Sequence, residues 1–232
     1  MDELKSWFGG LPQLIMFDLD GTLADSAADI AIALNRALDD LALPPVADEV
    51  VRNGIGRGAA RLMDVALQHV RPQLDNAMQR QIENEQLLSA FMHRYEDAVC
   101  EFSTVYPGVR EFLDAAKAQD INMACITNKP LKPANALLDA LELSEYFSVV
   151  LGGDSLTHKK PHPEPLQHSL RHFSVTPDKA LMIGDSRNDV EAAKAAGVRV
   201  LALPYGYNYG EAIEASERGC HIGRHALIFK PL

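Results

Sequence analysis

The chain has 232 residues, of which 47% are hydrophobic and 23% charged, and a formal net charge of -10. This composition can fill one large core, or a core with a smaller insertion, and the acidic balance argues against a broad nucleic-acid or anionic-membrane footprint, so small molecules are the expected partners. No apolar run approaches a bilayer span, the amino terminus lacks the basic start and apolar centre of a signal peptide, and the three scattered cysteines fit neither a disulfide framework nor a zinc pattern; a cytoplasmic location is expected.

Residues 1–13 carry Trp7, Phe8 and Gly9-Gly10 without periodicity and read as a flexible tail or a docking arm. Leu14, Ile15, Met16 and Phe17 form a short apolar run suited to a strand buried on both faces, and the run ends at Asp18 and Asp20, with Gly21 and Thr22 directly after. On an extended strand the two acids point the same way, at the carboxyl end where open α/β sheets bind ligands; a metal ion, a shared proton or a surface turn each fit such a pair. Ser26 and Asp29 have capping-box spacing before a helix carrying Ile30, Leu34, Leu38 and Leu41, which Pro44-Pro45 ends. A glycine-rich loop over 52–58 leads into a helix with Leu62, Met63, Ala66, Leu67 and Val70 on one face, and a third helix is expected over 78–99. This stretch of about 75 residues has no strand candidate, which marks residues 27–101 as an inserted helical cap between core segments 1–26 and 102–232.

After Tyr106-Pro107-Gly108 the pattern alternates in the βαβ manner. Helices are expected over 108–118, 132–142, 164–172 and 189–196, each followed by a strand, at 121–126, 147–151, 180–183 and 198–203. A short helix beyond Gly210 and a last strand at 226–229 complete the expectation. The fold class is therefore α/β, a parallel sheet with an inserted α-helical subdomain.

Four stations stand at or just beyond the strand ends: Asp18 with Asp20, Thr127-Asn128, Lys160-Pro161, and Gly184-Asp185 with Asp189. Asp18 can act as a carboxylate nucleophile that accepts a phosphoryl group, and Asp20 can protonate the leaving oxygen and then activate water. A carboxylate attacking a phosphate dianion requires imported positive charge; Mg²⁺ suits hard oxygen ligands, with Asp18 and Asp185 as side-chain donors and Asp189 orienting metal-bound water or Lys160. Thr127, Asn128 and Lys160 would hold the transferring oxygens. Taken singly, Thr127-Asn128 also reads as a helix cap, Lys160 as a solvated lysine and Gly184-Asp185 as a turn.

In this order the stations resemble the four motifs of the haloacid dehalogenase superfamily, whose first motif is matched by Asp18-Leu19-Asp20-Gly21-Thr22. The resemblance implies a Rossmann-like core with a cap inserted after that motif, a small phosphorylated substrate, and a metal held by Asp18, Asp185 and the main-chain carbonyl of Asp20. An acid at Asp20 disfavours the dehalogenase branch, and the lack of lysine between Ala27 and Glu101 disfavours the phosphonate-cleaving branch. Further segments, Lys129-Pro130, Lys159-Lys160-Pro161-His162-Pro163 and Tyr205-Gly206-Tyr207-Asn208, are similar to bacterial phosphoglycolate phosphatases, and several are shared with a branch acting on N-acetylmuramic acid 6-phosphate; phosphomutases share all four motifs. A catalytically silent binding protein is the reading from another class. Arg57, between two glycines, is the cap cation expected to meet a glycolate carboxylate, or else a solvated arginine at a hinge. His158, His162, His168 and His172 cluster near Lys160 and read as surface histidines.

Overall fold

A computed structural model describes residues 1–75, 83–210, 213 and 220–222. Among the described residues six parallel strands build one sheet, and inside it lies β1 (Leu14–Phe17), whose four side chains are completely enclosed. On one side β1 pairs with β4 (Asn122–Ile126), which pairs with β5 (Val149–Leu151). On the other it pairs with β6 (Ala180–Gly184), followed by β7 (Arg199–Ala202) and β8 (Cys220–Ile222).

The two-residue period of β1 divides the core. Ile15 and Phe17 enter an apolar layer with Val109, Phe112 and Leu113 of one helix (Val109–Lys117) and Leu137 and Leu138 of another (Leu131–Ala140). Leu14 and Met16 enter the opposite layer, formed by Leu166 and Leu170 of the helix Glu164–Phe173 and by Val190, Ala193 and Ala196 of the helix Arg187–Ala196. Each of the larger apolar side chains contributes about 1.5–3 kcal/mol when fully removed from water, so the strand is held from both faces. Phe17 sits edge-on between the rings of Phe112 and Phe147, at 6.1 and 5.9 Å. Cys125 is a buried free cysteine of β4.

Among the described residues the expected core elements occur with ends moved by one or two residues, and β8 is a strand not expected from the sequence; the helix expected over 189–196 begins at Arg187 because Ser186 caps it. The strand expected at 226–229 lies outside the described residues, as does most of the stretch expected to hold a helix after Gly210. Of the two readings of the amino-terminal segment, a flexible tail or a docking arm, its placement fits the second: Asp2–Phe8 is a helix, Leu4 joins the core layer, and Arg199 donates to the Trp7 carbonyl at 2.5 Å while standing over the Phe8 ring at 4.4 Å.

Between β1 and β4 the chain forms a separate apolar cluster. Its helices are Ala27–Asp40, Asp48–Gly54, Ala59–Val70 and Asn84–Asp97, with Leu34, Leu38, Met63, Leu67, Leu87, Phe91 and Tyr95 inside. The glycine-rich segment is partly helical as far as Gly54, and only Gly56 and Gly58, at φ 99 and 90, make the left-handed turn. The third helix is described from Asn84; the residues expected to begin it at Met78 are outside the described set.

Ser26 and Asp29 do not form a capping box: Ser26 makes no side-chain cap, and the Asp29 carboxylate instead accepts N–H bonds from Phe102 and Ser103, at 2.9 and 2.7 Å. This joins the outgoing and returning linkers, which also pair as the short antiparallel strands β2 (Ala24–Asp25) and β3 (Thr104–Val105). The Tyr207 hydroxyl completes the clamp, accepting from the Ser26 and Ala27 amides at 2.9 and 3.0 Å and donating to Asp25 at 2.7 Å. No helix among the described residues is long and apolar enough to cross a membrane.

Candidate active site

Parallel strands carry their carboxyl ends to one edge, and Asp18, Thr127 and Asp185 follow directly on β1, β4 and β6. Around this edge Asp18, Asp20, Asp185 and Asp189 are all buried, together with Lys129 and Lys160. Four carboxylates thus face two ammonium groups. The residual negative charge is what a divalent cation would balance, and burial makes leaving it uncompensated costly.

The Lys160 ammonium lies 3.0 Å from Asp18 Oδ1 and 2.6 Å from Asp189 Oδ1, and donates to the Ile126 carbonyl at 2.5 Å. Burial works against its charge, but the two carboxylates outweigh burial and hold its pKa above the ordinary lysine value. Asp18 receives the Leu19 N–H at 2.8 Å; burial, only partly offset by Lys160, pushes its pKa up to about 7. Asp185 is raised well above its ordinary value by burial and then by the charges of Asp18 and Asp189. Its oxygens accept from Thr22 Oγ1 at 2.9 Å and the Tyr207 N–H at 2.7 Å.

The approach around Asp185 is close on both sides. A Cβ on Gly21 would stand 2.3 Å from Asp185 Oδ2 and one on Gly206 2.1 Å from the same atom, so no larger residue fits at either position without moving the carboxylate.

Ligand atoms of Asp18, Asp185 and Asp189 lie within 4.8 Å of one another. Asp189 is already engaged: Oδ1 holds Lys160, and Oδ2 accepts from the Ser186 N–H and hydroxyl at 3.0 and 2.7 Å in a capping box. Asp185 meets only a neutral hydroxyl and an amide where Asp189 meets an ammonium, so Asp18 and Asp185 are the carboxylates better placed for a cation, and their hard oxygen donors and raised pKa values fit a divalent metal.

Asp20 sits on the other side of the pocket. Its Oδ1 accepts from Lys129 Nζ at 2.9 Å and from Ser26 Oγ at 2.5 Å. The same ammonium stands 4.6 Å over the Tyr95 ring, which carries it beneath the inserted helices. Neither contact with Asp20 is expected from the sequence, where Ser26 reads as half of a capping box and Lys129 only as part of a segment similar to phosphoglycolate phosphatases.

Thr127 lines the pocket and is not a helix cap: its Oγ1 accepts the Lys129 N–H at 3.1 Å, leaving the O–H free to donate. Asn128 also lines the pocket, but its Nδ2 is committed to the carbonyls of Gly56 and Lys160 at 2.9 and 2.8 Å, and its buried Oδ1 has no hydrogen-bond partner. Asn188 donates to the same Gly56 carbonyl at 2.9 Å, so two core amides fasten the inserted turn. Arg57 is not brought to the carboxylates. It is exposed and stacks on the Tyr209 ring at 4.0 Å, because the left-handed turns on either side send it outward. Ile30, Ile55, Leu62, Phe91, Met92 and Tyr95 give the pocket an apolar roof. Away from it, His158 and His162, two of the four clustered histidines expected at the surface, stack at 4.1 Å, with Glu164 beside them.

With this geometry in place, the comparisons with known proteins are specific. Residues 15–203 match the haloacid dehalogenase-like hydrolase family, and the chain belongs to it. A phosphoglycolate phosphatase of Pseudomonas putida is 45% identical over 207 residues, spanning 89% of this chain and 75% of its own. A crystal structure described as a predicted phosphoglycolate phosphatase from Haemophilus somnus superposes with a TM-score of 0.81 at 38% identity, covering 89% of this chain and 91% of that one. The Rhodobacter sphaeroides protein CbbY, solved in complex with phosphate, gives a TM-score of 0.75 at 27% identity over 88% of this chain and 92% of its own.

Proposed function

From membership of this hydrolase family, we propose that the chain is a Mg²⁺-dependent phosphatase that hydrolyses a small phosphate monoester, 2-phosphoglycolate, to glycolate and phosphate. The observation that carries the reading is the buried Asp18 at the end of β1, in contact with Lys160 and grouped with Asp185, facing a pocket that Asp20 also lines. Relatives bearing the name phosphoglycolate phosphatase, and a neighbour solved with phosphate, support the substrate class.

In this reading a carboxylate oxygen of Asp18 attacks phosphorus, the bond from phosphorus to the ester oxygen breaks, and Asp20 delivers its proton to the departing oxygen. Asp20 then takes a proton from water as the water attacks the aspartyl-phosphate, releasing phosphate and restoring Asp18. Lys129 and Ser26 orient Asp20 for both transfers, while the Thr127 hydroxyl, the main-chain amide of Asn128 and the Lys160 ammonium hold the phosphoryl oxygens. Bound Mg²⁺, held by Asp18, Asp185 and the Asp20 carbonyl, would supply charge that offsets repulsion between nucleophile and phosphate dianion. Asp189 acts through Lys160. The helices from Ala27 to Asp97 serve as a cap that excludes water, hinged at the paired linkers.

Phosphate release from 2-phosphoglycolate, N-acetylmuramic acid 6-phosphate and a hexose phosphate, with and without Mg²⁺, tests the reading. Metal-dependent release strongest on 2-phosphoglycolate is expected; isomerisation without release would point to a mutase, and no turnover on any ester would refute the enzyme.

A thermal measurement tests the metal site independently. Because Asp18 is raised from 3.8 to about 7 and Asp185 is raised too, the metal-free folded state binds more protons than the unfolded chain across that interval. These groups therefore weaken the fold progressively as pH rises towards neutrality, and Mg²⁺ competes with their protons. The rise in melting temperature on adding Mg²⁺ is expected to be larger near pH 8 than near pH 5, as a consequence of this linkage. An Mg²⁺ effect that is equal at both would contradict it.

A further inference from the structure

We infer that Lys159 is the group that recognises the carboxylate of the substrate, so that the ligand is held between a phosphate end at Asp18 and a second anionic end at Lys159; this rests on the phosphatase reading above. The inserted helices themselves offer no charge to the ligand: every residue they contribute to the pocket wall is apolar, glycine or tyrosine. Arg57 is turned out onto Tyr209, and Arg52 is placed over the Tyr207 ring and near Asp25. On the core side Lys129 is bound to Asp20, and Lys160 to Asp18 and Asp189. A substrate carboxylate would meet only low-dielectric wall in these directions, which is unfavourable for a charged group.

Lys159 breaks that pattern. It is adjacent to Lys160 in sequence but turns the other way, and its ammonium lies 2.6 Å from the point where a Cβ of Gly58 would stand. Gly58 lines the pocket, and the same point is 3.2 Å from the Asn128 carbonyl oxygen, whose residue is also part of the lining. The absence of a side chain at Gly58, with its φ of 90, is what admits the ammonium to this seam between the inserted turn and the core. Among the described residues the Lys159 ammonium has no hydrogen bond or ion pair; the residue is still solvent-exposed, and its partial burial alone lowers its pKa. An unpaired cation at the seam, reached by a flexible four-carbon stem, is the natural partner for an anionic group on the leaving half of a short ester.

The test compares two esters that differ only in that group, 2-phosphoglycolate and ethyl phosphate, using the Mg²⁺-loaded full chain. The wild-type protein is expected to favour 2-phosphoglycolate, and Lys159→Gln to reduce the ratio of the two kcat/KM values by about 10–100-fold, mainly through KM. Lys159→Arg, which keeps the charge, is expected to recover much of the preference. A ratio unaltered in Lys159→Gln overturns the inference, as does an equal loss on both esters, which is what a structural role would give. A wild-type protein that hydrolyses ethyl phosphate without preferring 2-phosphoglycolate also overturns it while leaving the phosphatase intact. A protein active on neither ester nor on the wider panel overturns the phosphatase reading instead.

Discussion

Asp18→Asn is expected to abolish phosphate release, with kcat/KM falling by about four orders of magnitude or more, while the folded state survives. Asn matches Asp in volume but its amide does not form the acyl phosphate that divides the displacement into two steps. The fold should tolerate the change for a local reason. Asp18 belongs to an over-acidic cluster, and its own pKa of about 7 marks burial that its contact with Lys160 only partly offsets. Removing its charge relieves that burial, and Lys160 keeps Asp189 at 2.6 Å as well as the Ile126 carbonyl. The metal-free variant is therefore expected to melt at or above the wild-type temperature, and to gain less from Mg²⁺ because one ligand is neutral. Phosphate release measured beside a melting curve separates the two effects; turnover within tenfold of wild type would remove Asp18 from the nucleophile's role.

The parts of this site that were legible in the sequence are those specified locally. An apolar run ending in acids places Asp18 and Asp20 at a strand end without knowledge of the rest of the fold, and Thr127 and Asp185 follow from the same rule applied to β4 and β6. What escaped notice depends on contacts between distant residues. Lys129 meets Asp20 across 109 positions, and Tyr207 meets Ser26 across 181. Neither pairing leaves a periodic trace. The S-x-x-D spacing illustrates the limit: at Ser186–Asp189 it is a capping box, whereas at Ser26–Asp29 both side chains are drawn away, one to Asp20 and the other to the returning linker. Local hydrogen bonding competes with tertiary partners, and at the second position the tertiary partners prevail. Arg57 makes the same point for charge. The sequence places a cation between two glycines, but only backbone handedness decides that it points outward.

Lys160→Met is expected to be the more damaging change to stability. The ammonium is fully enclosed and shared by Asp18, Asp189 and a main-chain carbonyl, so a methionine of similar length leaves two buried carboxylates facing each other without their cation. Breaking such a buried pair from one side typically costs about 3–5 kcal/mol, far more than a surface ion pair. Urea unfolding without metal should register this loss. Added Mg²⁺ should restore part of the stability by supplying charge beside Asp18, but not the rate, since the cation proposed to hold a transferring oxygen is still missing.

The double variant Lys160→Met with Asp189→Asn distinguishes electrostatics from packing. If uncompensated charge is the cause, neutralising Asp189 makes the double variant more stable than Lys160→Met alone, despite carrying an additional substitution. If poor packing of the thioether is the cause, the second change adds its own cost, because Asp189 Oδ2 also accepts the two bonds that cap the helix at Ser186. The sign of the coupling therefore determines whether Lys160 is retained in this core for its charge, with phosphate binding as the activity that requires it.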